Sequence, residues 1–393
     1  MITNSLSVAR WAGGQIHRRL RGSESHETDI ETFLAGHIEP SATHLYGSGK
    51  AALSDGVEAI LRVNNMKTDS APSGNVLIPT YIPDAVASPF AEHDLEVRFY
   101  RIEPDLGPNI DDLRSRIDRK TVAVMAVNYF GFSPPRYNQL TALAANARCP
   151  VIEDNAHSPL TVIDGRLGGT RGDIGITSLW KQFSVPDGAV LYTPSERIRA
   201  ELQPSAFAGV MNRFGLTDCR YALTATARDL ATTHRKITGP LQATLVAPKG
   251  QIPSSTERYE AGKVPMAKLS EVVLSDINPD RIRRRRRQNY RIWLRALTDH
   301  PTVNPIFPTL PTGICPAYAP VMADSPDAFK ETLSHAHFGT IERWPRLPTP
   351  VHATDSYETA TRLAEHVLLL PVHQQIRPSR LERALACLAR TLR

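Results

Sequence analysis

The chain has 393 residues, 41% hydrophobic and 22% charged, with a formal net charge of +6. That balance excludes a disordered tail, a collagen-like repeat and a disulfide-stapled miniature, and the length suits two or three globular domains. No apolar run reaches the ~18 residues a bilayer span needs, and the opening residues lack an apolar signal core, so a cytoplasmic protein with no membrane partner is expected.

In chain order, the first feature is the small-residue turn Tyr46-Gly47-Ser48-Gly49-Lys50-Ala51, which opens a helix marked by Leu53, Val57, Ile60 and Leu61. Glycines let the backbone approach a ligand, and free amides at a helix start favour phosphate. The turn lacks the GxxxxGK spacing of a nucleotide-binding P-loop. Apolar runs follow at Asn75–Ile78, Glu96–Ile102, Thr121–Val127, Pro150–Ile152, Ile174–Leu179 and Ala189–Tyr192. They do not alternate, and helical spacing separates several of them, as at Leu140, Leu143 and Ala147. This predicts an α/β sheet covered on both faces, with ligands beyond the carboxyl ends of its strands.

Two strand ends carry chemistry. The run Val151-Ile152 delivers Glu153, Asp154 and then His157 into that crevice. Adjacent acids point to opposite sides of a strand, which suits a carboxylate paired with a ring nitrogen better than a metal. The second end, Ser178-Leu179-Trp180-Lys181-Gln182-Phe183, places a lysine among apolar residues. Such a lysine either holds its proton weakly, as imine chemistry requires, or snorkels to the surface.

Residues 194–261 are predicted as an excursion, with helical signals at Ala222–Leu230 and a Pro/Ser/Gly-rich patch at Pro248–Ser255. A helical stretch from Met266 to Leu297 breaks at Asn278-Pro279 and contains the run Arg283–Arg287, which holds most of the net charge. The run is predicted as a solvated or ion-paired helix face, with nucleic acid the lesser possibility. The final residues form a smaller α+β unit in which His373, after Leu370-Pro371, is expected to be structural. The predicted division is 1–265 and 266–393. Four cysteines, Cys149, Cys219, Cys315 and Cys387, lack CxxC spacing and are expected to be reduced thiols.

Taken in order, Ser48–Leu53, Pro79–Tyr81, Asp112–Ile117, Thr121–Val127, Tyr129–Gly131, Val151–His157, Gly169–Gly175, Ser178–Gly188 and Leu370–His373 resemble the motif series of the DegT/DnrJ/EryC1/StrS family of pyridoxal-phosphate enzymes. The resemblance implies a fold-type I architecture: a large domain with a mainly parallel sheet and a smaller C-terminal domain. It further implies pyridoxal 5'-phosphate as cofactor, no metal, and a homodimer with shared active sites. By the same resemblance Lys181 would bind the cofactor covalently and shuttle a proton, Asp154 would hold the proton on the pyridine nitrogen, and His157 would lie near the ring. Ser178 and the turn Ser48, Gly49 and Lys50 would bind the phosphate, and Tyr81 is the substitute candidate for the ring-stacking aromatic.

The sequence departs from the family pattern in a shortened lysine segment ending Val-Pro-Asp-Gly-Ala, in Lys50 at a phosphate-site Thr or Ser, and in Lys263–Met266 where a partner-reaching Asn-Tyr-Arg-Met is usual. The activity implied is transfer of an amino group from a donor such as glutamate to a keto-sugar, cyclitol or similar polar carbonyl substrate. The alternatives are another pyridoxal-phosphate reaction (elimination, decarboxylation or cyclisation) or a non-catalytic relic.

Overall fold

The non-alternating apolar runs become the centre of one large sheet. The computed structural model describes residues 30–64, 74–216, 218–224, 255–335 and 341–391. Its strands begin with β1 (Thr43–Tyr46), β2 (Asn75–Pro79), β3 (Glu96–Tyr100), β4 (Thr121–Val127) and β5 (Val151–Asp154). A short hairpin of β6 (Val162–Ile163) and β7 (Arg166–Leu167) follows, then β8 (Ile174–Ser178) and β9 (Ala189–Tyr192). Seven of these form a sheet in the order β1-β9-β8-β5-β4-β2-β3. From β3 to β8 the neighbours run parallel, while β9 opposes both of its partners.

Burial explains the pattern. β2 is buried at every residue and β4 at all but its first, so both faces of the sheet are covered and no polar alternation survives. Helices α1 (Gly49–Val63) and α2 (Tyr137–Asn146) pack on the sheet, giving a core that includes Leu53, Ile60, Val124, Leu140 and Ile152. Edge strand β1 escapes prediction because Thr-His-Leu-Tyr is half-buried and mixed in character. Where backbones crowd, glycine is obligatory: a Cβ on Gly175 would stand 1.9 Å from the Gly169 carbonyl oxygen.

The C-terminal part is a four-stranded antiparallel sheet, β10-β11-β13-β12, built from β10 (Val303–Pro305), β11 (Tyr318–Ala323), β12 (Glu342–Arg343) and β13 (Val367–Pro371). Between the two sheets run helices α3 (Ser255–Glu260), α4 (Lys268–Leu274) and α5 (Pro279–Ala296), and α6 (Pro378–Thr391) closes the chain. Tyr290 and Trp293 of α5 join Val321, Leu368 and Leu381 in the second core. The break at Asn278-Pro279 is a helix start. Asn278 accepts the Arg281 N–H at 2.8 Å, and proline occupies the first turn, where it forfeits no helical bond.

The arginine run is only in part the solvated or ion-paired face expected of it: Arg283 pairs with Asp280 at 3.6 Å. Arg284 is exposed, but Arg286 is 1% exposed, and Arg283, Arg286 and Arg287 donate to backbone carbonyls of Gly313, Pro316, Ala317, Pro311 and Ile314. The run stitches α5 to the 311–317 loop. In the predicted excursion a short helix spans Glu196–Glu201, whereas residues 225–254, including most of the Ala222–Leu230 and Pro248–Ser255 signals, lie outside the described residues. Cys149, Cys219 and Cys315 are free thiols. Among the described residues no helix is long and apolar enough to cross a membrane, and no group of His, Cys, Asp and Glu is arranged to hold a metal ion.

Candidate active site

Asp154 is the last residue of β5, and Lys181 ends the single 3-10 turn Leu179–Lys181 that leaves β8. The two strands are parallel neighbours, with Asp154 opposite Ile176, so both side chains emerge at the same edge of the sheet. Burial raises the Asp154 pKa above the ordinary carboxylate value, while the Lys181 charge and the Ala156 N–H, 2.8 Å from Oδ1, pull it back. Burial lowers the Lys181 pKa below that of a free lysine, opposed by Asp154. Each charge stabilises the other in a site that is costly for either alone.

The glycine turn faces this pair. Ser48 caps α1, accepting the Ala51 N–H at 3.2 Å, which leaves the first helical amides open. A Cβ built on Gly49 would lie 2.8 Å from the Ser178 hydroxyl, so Ser178 looks directly into the start of the helix. Ser178 is 5% exposed, and its hydroxyl has no protein partner among the described residues. A hydroxyl aimed at unsatisfied amides at the positive end of a helix fits a phosphate.

Gly49→Ala is therefore expected to weaken pyridoxal-phosphate binding by roughly tenfold or more, equivalent to about one charged hydrogen bond. Absorbance titration measures it, and an unchanged affinity would remove this cradle. Lys50 is the second residue of α1, and its Nζ lies 5.4 Å from the centre of the Tyr259 ring; burial and Arg258 lower its pKa.

Main-chain bonds join the surrounding segments. The Leu179 N–H donates to Gly188 at 2.8 Å, Gly188 to Gly47 at 3.0 Å, and Gly47 to Val264 at 2.8 Å. Lys263–Met266 thus lies over its own chain's glycine turn, with Lys263 paired to Glu92 at 2.5 Å and Glu260 at 2.9 Å.

His157 is stacked on Phe130, ring centres 5.3 Å apart and planes at 12°, with the Trp344 ring edge-on at 4.9 Å. Its Nδ1 accepts the Phe130 N–H at 3.4 Å, and burial together with Lys181 holds its pKa well below the ordinary value, so the ring is neutral and Nε2 carries the proton. Phe130 has φ of +58°, a left-handed conformation that costs a bulky residue about 1–2 kcal/mol and turns its ring onto the histidine. Tyr81 is fully buried, its ring edge-on to Trp344 at 5.3 Å and its hydroxyl donating to the Trp344 carbonyl. Its ring also lies 5.7 Å from that of Tyr129, tilted by 48°.

The site's scaffold escaped sequence reasoning. Glu153, facing away from Asp154, is 0% exposed and pairs with Arg171 at 2.8 Å. It also accepts from the Arg171 N–H at 2.7 Å and from Asn128 at 2.7 Å. Asn155 ties the next turn to Ser158 and Gly168 through 2.7 and 3.0 Å bonds. Trp344 was given no role by the sequence, whereas Phe130 lay within the Tyr129–Gly131 motif and Glu153 was visible as one of an acidic pair. His373 is buried, and burial together with Arg286 keeps it neutral.

A mainly parallel seven-stranded sheet and a smaller antiparallel C-terminal sheet, with a half-buried lysine and a buried carboxylate at neighbouring strand ends, make up a fold-type I architecture. The sequence profile of the DegT/DnrJ/EryC1/StrS aminotransferase family matches residues 26–227, and the chain belongs to that family. A curated relative, GDP-4-keto-6-deoxy-D-mannose 3-dehydratase of Yersinia pseudotuberculosis, is 28% identical over 126 residues; the match spans 31% of this chain and 32% of the relative.

Over nearly the whole chain the fold is similar to the sugar aminotransferase CalS13 from Micromonospora echinospora, with TM-score 0.64, 18% identity and 96% of each chain covered. It is similar also to Helicobacter pylori PseC, an aminotransferase of pseudoaminic acid biosynthesis, with TM-score 0.65, 14% identity and 97% and 95% covered. These two likenesses are of fold.

Proposed function

We propose that the protein is a pyridoxal-phosphate-dependent aminotransferase that moves an amino group from an amino-acid donor, glutamate first, to a keto-sugar, cyclitol or similar polar carbonyl acceptor. The observation that carries this reading is half-buried Lys181 beside buried Asp154 at one sheet edge, with the Ser178 hydroxyl facing the open start of α1. Bound there, the cofactor supplies an electron sink for the carbon that bears the amine.

The protein's own groups do the rest. Lys181, with its lowered pKa, offers a free amine at a pH where ordinary lysines are charged, and can then carry a proton to and from the substrate carbon. Asp154 would supply the negative charge that keeps a pyridine nitrogen protonated. Ser178, Gly49 and Lys50 would hold the phosphate, and neutral His157 would have its Nε2 proton to donate. The site is proposed to be completed by a second copy of the chain: Trp180, next to Lys181, leaves its large ring 42% exposed.

Incubation of the yellow loaded protein with glutamate is expected to convert the cofactor to its aminated form and release one equivalent of 2-oxoglutarate. Failure with every common amino donor would sink the proposal. The dehydratase identity of the curated relative supports one second reading, loss of water from a keto-sugar. It is read in the same assay as a deoxy product.

A further inference from the structure

The residue after Lys181 is held from both sides. The Gln182 side chain donates to the Ser158 hydroxyl at 2.9 Å, and its backbone carbonyl accepts from Gln374 Nε2 at 2.9 Å. Gln374 lies just beyond β13 of the C-terminal sheet, and its Oε1 accepts from Arg286 Nε at 2.8 Å. Arg286 Nη1 donates to the carbonyls of Pro316 and Ala317 at 3.2 and 3.1 Å, and the Ala317 N–H donates to the Phe130 carbonyl at 2.8 Å. Phe130 is the ring stacked on His157. One guanidinium in the C-terminal part thus reaches the lysine turn through Gln374 and the histidine wall through residues 316 and 317.

Arg286 is 1% exposed and has no carboxylate partner among the described residues. A buried cation without a counter-ion is an expensive way to hold a fold together, since neutral residues of similar size fill such sites as well or better.

We propose that Gln374, oriented by Arg286, is a positioning residue that fixes the lysine turn and keeps Lys181 aimed at Asp154. The proposal rests on the reading of Lys181 as the cofactor-bearing amine. Asp154 and His157 are the titratable groups facing Lys181, and Gln374 acts on its backbone neighbour without adding charge.

Gln374→Glu separates positioning from structural support. It is nearly isosteric, still accepts from Arg286 and supplies the missing counter-charge, but it removes the N–H that holds the Gln182 carbonyl. The melting temperature is expected to hold or rise. In cofactor-free protein, trace acetylation of Lys181 with acetic anhydride, followed by peptide mass across a pH series, is expected to show its midpoint moving up by about one pH unit toward ordinary lysine. Borohydride-trapped capture of pyridoxal phosphate is expected to slow roughly tenfold, the cost of a misplaced nucleophile.

A wild-type midpoint and capture rate in Gln374→Glu would overturn the proposal, as would a midpoint shift accompanied by a lowered melting temperature. Should that variant not fold, Arg286→Lys keeps the charge but loses the fork, and is expected to move the midpoint the same way; no movement overturns the proposal. Acetylation needs no cofactor, so wild-type protein that fails to capture pyridoxal phosphate would sink the aminotransferase reading and leave this comparison decisive.

Discussion

Replacing Lys181 by alanine is expected to abolish borohydride-reducible attachment of pyridoxal phosphate and to lower turnover by roughly 10²–10⁴-fold from the lost proton transfer alone. Lys181 alone among the described lysines is set beside Asp154 in a buried site. Lys263 is held by Glu92 and Glu260, Lys268 by Glu271, and Lys50 lies over Tyr259. After reduction and digestion, the cofactor mass should appear on the peptide containing residue 181 and vanish in Lys181→Ala; retention in the variant removes the assignment.

The same change has a stability signature. Because the folded-state pKa of Lys181 lies below its ordinary value of 10.5, the unfolded chain binds more protons between the two values, and stability should rise with pH across that alkaline window. Lys181→Ala should flatten the rise. Asp154, raised above its ordinary 3.8, contributes the opposite slope, with stability falling as pH climbs from 3.8 toward its folded value.

The largest loss of stability is expected from Arg171→Met. Arg171 holds Glu153 through Nε at 2.9 Å and Nη2 at 2.8 Å, and its guanidinium covers the Tyr137 ring at 3.9 Å. Glu153 is fully buried, so removing its counter-charge strands a carboxylate in the core, at a cost of about 3–5 kcal/mol. Denaturant unfolding measures this, and adding Glu153→Gln to the variant should recover a large part, since a neutral amide carries no charge to strand. A loss below about 1 kcal/mol for the single change would place the pair among weakly contributing surface bridges.

The central strands were legible because a sheet covered on both faces demands uninterrupted apolar residues, as Thr121–Val127 supplies. The helix start at Asn278 was legible because capping chemistry is local. What joins Asp154 to Lys181 is the pairing of β5 with β8, a contact no local pattern encodes; only the ordered motif series brought the two into one reading. The Arg283–Arg287 run misled because a block of like charges averages to a hydrophilic face. Helical spacing held the missing signal: Ile282, Arg286, Asn289, Tyr290 and Trp293 share one buried stripe of α5, which singles out Arg286 from its neighbours. Trp344 reaches the histidine from far along the chain and leaves no trace in the neighbouring sequence.

The bonds from Leu179 through Gly188 and Gly47 to Val264 use only amide groups. Such a seam is indifferent to which side chains flank it, provided Gly47 and Gly188 stay glycines, since a Cβ on Gly47 would stand 2.6 Å from the Val264 oxygen and Gly188 has a φ of +120°. Directed variation of the flanking loops can therefore reshape what the crevice admits while the seat beneath it keeps its form.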